Sequence, residues 1–135
     1  MEILVNDYNK RIVSICVNLF ELTQNDKFDR FGKIVQHDID TSNTYEFLWK
    51  HIEQMNPEYI QEIISGNRQY FESDQFTDHR VDNGLVSELK NEWSNISTKN
   101  QNIIFTKMQN IFKIAEHIRN HYYDELVLHA MGLKV

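Results

Sequence analysis

Four side chains able to ligate a metal or move a proton recur at a constant spacing: His117, His121, Glu125 and His129, each four residues after the last. On a helix, neighbours in such a row share a face, and a histidine pair one turn apart can clamp Zn²⁺. The HExxH pattern of a zinc hydrolase is absent, and no cysteine joins the row. The row also drifts around the helix as it lengthens, so its ends stop facing one site. Histidines near a helix C-terminus are favoured there by the helix dipole alone. The spacing therefore reads as a solvated helix face, with no metal and no cofactor expected.

Two other groups carry titratable residues. His37-Asp38-Ile39-Asp40-Thr41-Ser42 opens like a calcium loop, but Asn43 and Trp49 stand where such a loop needs its glycine and its bidentate glutamate. A polar loop, His37 to Asn43, that caps the next helix is the expectation. Asp74, Asp78, His79 and Asp82 could be assembled into an acid–base site, yet no spacing singles them out. Phosphate-cradling glycine loops, a GxSxG elbow and a CxxC pair are all missing. Cys16 lies among Ile15, Val17 and Phe20, an apolar setting that suits a buried thiol rather than a nucleophile. The chain is read as non-enzymatic.

Charge and composition exclude further classes. A net charge of −6 opposes binding to a nucleic-acid backbone, and the aromatic residues are not interleaved with Arg or Lys. No apolar run is long enough to span a membrane, and Asp7, Asn9, Lys10 and Arg11 interrupt any signal-peptide core. An intracellular protein is expected, with no membrane partner.

The elements that would position these groups are helical. Ile104, Met108, Ile111, Ala115, Ile118 and Tyr122 form a stripe at helical spacing, with Thr98 and Gln101 placed for a capping box. Val5, Tyr8, Ile12, Ile15, Leu19 and Leu22 form a second stripe. Asp26 is placed to cap a short helix through Phe28, Phe31, Ile34 and Val35, and Asn43 to cap another through Tyr45, Leu48, Ile52 and Met55. Asn56-Pro57 starts a third and Gly66 ends it. Asn67 to Val81 reads as an ordered loop; Asp82 then opens a helix through Leu85, Leu89, Trp93 and Ile96 that forms a hairpin with the next. The expectation is a single all-α domain over residues 1–135, a bundle of about five to seven helices with the long first and last helices at its centre.

One length decides where function is sought. A helix from Thr98 to His129 would be roughly 48 Å long, whereas a compact chain of this size is roughly 37 Å across. The helix either breaks near Asn120–Tyr123 or overhangs the body. Its far end carries Tyr122, Leu126, Val127 and Met131, apolar groups that need cover from the chain itself, a second copy or a protein partner. These four residues are the expected interaction surface.

Three patches resemble a loose family of small all-helical proteins of unassigned role encoded by large DNA viruses of algae and protists. The first is Leu4-Val5-Asn6-Asp7-Tyr8-Asn9 through Leu19. The second is Phe47-Leu48-Trp49-Lys50-His51-Ile52, then Asn56-Pro57-Glu58, Ile60, Ile64 and Tyr70-Phe71. The third is Trp93, Ile96-Ser97, Lys99, Ile103 to Phe105, Met108-Gln109, Ile111 and Ile114-Ala115. The chain departs from that family at Thr23-Gln24-Asn25-Asp26, where a Phe-Pro-Glu stop is usual. The resemblance implies a viral helical protein acting in the host cytoplasm or the virion, and it transfers no catalytic residue. The functional expectation is a structural or interaction protein working through an apolar helical surface. The alternative is a metal- or small-molecule-binding regulator using His117 and His121.

Overall fold

A computed structural model describes residues 1–73 and 84–133, and its regular structure is entirely helical. The candidate acid–base group at Asp74, Asp78, His79 and Asp82, with the Asp82 cap, lies outside the described residues. Eight α-helices occur among the described residues, more than the five to seven expected. They are α1 (Glu2–Thr23), α2 (Asp26–Thr41), α3 (Thr44–Gln54), α4 (Pro57–Ile64), α5 (Arg68–Glu72), α6 (Leu85–Glu92), α7 (Thr98–His121) and α8 (Tyr123–Ala130). A 3-10 turn, Trp93–Asn95, joins α6 to α7.

The excess has two physical sources. Arg68–Glu72, read as loop, is a short helix capped by Asn67, and it buries Phe71 against Trp93 at 4.9 Å between ring centroids. The helix from Thr98 breaks, so the last helix is the short α8 and the two long helices at the centre are α1 and α7.

Capping side chains account for most boundaries. Asn25, Asn43, Asn56 and Asn67 each accept a backbone N–H from the first turn of the helix that follows. Asn25 takes the role expected of Asp26, and Ser97 takes that expected of Thr98, accepting from the Asn100 N–H at 3.3 Å. The Gln101 amide is used elsewhere, donating to the Trp93 carbonyl at 2.7 Å. Gly66 has φ +88°, the left-handed conformation its place after α4 requires. Gln24 closes α1 with φ 55°, unusual for a residue with a side chain, and its N–H reaches the Phe20 carbonyl at 2.8 Å.

Of the predicted loop His37 to Asn43, His37 to Thr41 is instead the end of α2, while Ser42 and Asn43 link it to α3. Local side-chain bonds sustain it: Thr41 Oγ1 donates to the His37 carbonyl at 2.8 Å, and Gln36 donates to Asp40 at 2.9 Å. A continuous helix there rules out the calcium-loop geometry.

The α1 stripe is buried at Val5, Tyr8, Ile15 and Leu19, and the α7 stripe at Ile104, Met108, Ile111, Ala115 and Ile118. Leu22, at the end of the first stripe, is exposed. α1 packs on α2, α3 and α7, while α7 also supports α4. Gly32 lets α1 and α2 approach closely, since a Cβ there would lie 3.1 Å from the Cys16 Cβ. Asn9 ties α1 to the start of α3 through the Thr44 carbonyl and hydroxyl, each at 3.2 Å. α6 leans on α2, where Asn25 donates to Glu88 and Glu92.

Candidate interaction site

The turn at Tyr122 organises the packing of α8 against the body of the molecule. Tyr122 leaves helical geometry (φ −135°, ψ 17°) without Gly or Pro nearby, closing α7 through its N–H and opening α8 through its carbonyl. Tertiary burial drives this break. α8 folds back onto α3, placing Leu126 wholly out of solvent, a gain of about 2 kcal/mol by area. Asn43 Nδ2 donates to the His129 carbonyl at 2.6 Å, satisfying a C-terminal group of α8, and the Tyr45 and His129 rings stack at 4.7 Å.

This placement sorts the expected interaction residues. Leu126 belongs to the chain's own core and leaves the surface set. Tyr122 and Val127 are half-buried, whereas Met131 is 60% exposed. Leu128 (36% exposed) and Leu133 (50% exposed), not anticipated from the sequence, stand close to Met131 along the chain.

Between α3 and α8 lies an open groove of about 450 Å³ lined by Trp49, Glu53, Tyr123, Asp124, Val127 and Leu128. Trp49 Nε1 donates to Glu53 Oε1 at 3.2 Å, and the Tyr123 hydroxyl donates to the same oxygen. Both donors are neutral groups that bring no opposite charge to the carboxylate. No Lys or Arg among the described residues pairs with Glu53 or Asp124. The Tyr123 phenol is held above its ordinary pKa, chiefly by its bond to the Glu53 carboxylate and then by burial, with smaller charge effects from Glu53 and Asp124; the Trp49 contact opposes the rise. The groove is mainly apolar, with two carboxylates, Glu53 and Asp124, set among aromatic and aliphatic side chains. Its members come from segments some seventy residues apart, and only the Trp49–Glu53 spacing is visible in the sequence.

The histidine row is divided by the same turn. His117 and His121 remain together on the exposed side of α7, with ring centroids 4.6 Å apart. Glu125 is exposed on α8, and His129 stacks on Tyr45. No group of three His, Cys, Asp or Glu side chains placed to hold a metal occurs among the described residues.

A second polar feature lies in the core. Tyr8 and His51 are both buried, and the phenol oxygen is 2.8 Å from Nδ1. They border a mainly apolar cavity of about 90 Å³ whose walls include Ile15, Met55, Leu89 and Met108. Cys16 is buried. No helix among the described residues is long and apolar enough to cross a membrane.

No family model matches the sequence, and no match was found among curated proteins or solved structures.

Proposed function

We propose that the chain is a non-enzymatic interaction protein that engages a protein partner, or a second copy of itself, through the surface where α8 lies on α3. The observation that carries this reading is the run of exposed Leu128, Met131 and Leu133, of which Leu128 also lines an open groove. Exposed apolar residues scattered singly, such as Ile3 or Ile103, need no explanation, but several at one end of one short helix do. A viral origin is part of the proposal and rests on the three resembling patches alone; it would make the partner a virion or host protein.

Selection from a random-peptide library tests the reading. Enriched peptides are expected to lose binding to a Leu128→Asp, Met131→Asp variant that stays folded. Failure to enrich any peptide, or peptides indifferent to that variant, would count against it. Light scattering of the chain and the same variant tests the second-copy version: a dimer that the variant dissolves supports it, and a monomer in both removes it.

The alternative, a metal- or small-molecule-binding regulator, has the facing His117 and His121 rings in its favour. Calorimetry with Zn²⁺ at neutral pH decides it: uptake lost in His121→Ala supports the reading, and no uptake discards it.

A further inference from the structure

Resting on the interaction surface proposed above, we infer that the α3–α8 groove is a docking site for a basic, apolar segment of a different protein, with an arginine or lysine seated in the groove against Glu53 and Asp124, beside Trp49 and Tyr123. The chemistry of the walls selects this occupant. Two aromatic side chains line the groove, and such rings attract a cation through their quadrupoles; two carboxylates without a cationic partner among the described residues supply the opposite charge. Val127 and Leu128 line the same groove and give apolar side chains of the segment a place to pack.

Charge also argues against a second copy here. A two-fold dimer through this face would present the same carboxylates on both sides of the seam, in a chain whose net charge is already −6. Like charges at an interface are costly, whereas a basic segment removes the repulsion.

The test uses the full chain and two synthetic peptides, acetyl-Leu-Arg-Leu-Leu-Arg-Leu-amide and its counterpart with Glu in place of Arg. Binding is measured by calorimetry, and the Trp49 indole N–H, which sits on Glu53, is followed by NMR. The arginine peptide is expected to bind and to shift that resonance, and the glutamate peptide to do neither. Affinity should fall about tenfold or more in Glu53→Gln, Asp124→Asn, and also with rising salt. Asp124→Asn alone, which leaves the Trp49–Glu53–Tyr123 bonds in place, should give a smaller loss in the same direction. Equal binding of both peptides would overturn the charge argument while leaving an apolar interaction surface standing. Binding of neither peptide would overturn the inference too, and the library selection would then judge the surface independently. Self-association abolished by Leu128→Asp, Met131→Asp and unaffected by the arginine peptide would assign the groove to a second copy instead.

Discussion

The Tyr8 phenol and His51 Nδ1, 43 residues apart in sequence, are joined by a buried hydrogen bond of 2.8 Å. It fixes α1 against α3 inside an apolar core, where a lost polar contact is expensive. Tyr8→Phe should therefore cost about 1–2 kcal/mol. Thermal unfolding would show a midpoint lowered by several degrees. An unchanged midpoint would mean that the bond adds nothing to stability.

Gly32 sits inside a helix, where glycine costs stability, because a side chain there meets Cys16 at 3.1 Å. Gly32→Val should destabilise the fold by about 1–3 kcal/mol through overpacking of α1 on α2. Gly32→Ala should be milder, because improved helix propensity offsets part of the crowding. Urea midpoints of the two variants check the order; Val tolerated as well as Ala would contradict the close approach.

Leu126 and Met131 share one short stretch but face different surroundings, one buried and the other 60% exposed. Leu126→Ala should cost about 2–4 kcal/mol by leaving a cavity. Met131→Asp should stay within about 0.5 kcal/mol of the parent. Equal effects in chemical unfolding would show that α8 is not seated as described.

Tyr123 makes a pH prediction with a definite sign. Its folded-state pKa is raised above the ordinary value of 10.0, first by the hydrogen bond to the Glu53 carboxylate. The folded state therefore holds the phenolic proton more tightly than the unfolded state. The associated stability is fully present below the ordinary phenol range and is lost as pH rises through the folded value. Ultraviolet titration should show Tyr123 ionising late together with Tyr45 and Tyr70, which burial also raises, and Glu53→Gln should move one of the three back toward the ordinary range. A Tyr123 that titrates normally in the parent would contradict the contact.

The two long helices were legible because each carries an uninterrupted apolar stripe, from Val5 to Leu19 and from Ile104 to Ile118. The asparagine caps at Asn43 and Asn56, with Pro57, were legible for local reasons, since a cap needs only its own first turn. The last turns of α2 were missed because His37 to Thr41 is mostly polar and is held by side-chain bonds that propensity does not anticipate. The turn at Tyr122 lacks Gly or Pro; it exists because Leu126, Asn43 and Tyr45 reward folding back, and those are non-local contacts. The groove was hidden for the same reason. Trp49 and Glu53 announce only a helical pair until Tyr123 and Asp124 are brought beside them.

Everything proposed for the surface depends on α8 lying against α3. The nuclear Overhauser effect between the Tyr45 and His129 ring protons tests this most directly, since the ring centroids are 4.7 Å apart. Direct cross-peaks between the two rings are predicted, together with a break in helical amide connectivities at Tyr122. Absent cross-peaks, with connectivities running unbroken from α7 into α8, would contradict the fold-back and remove the groove with it.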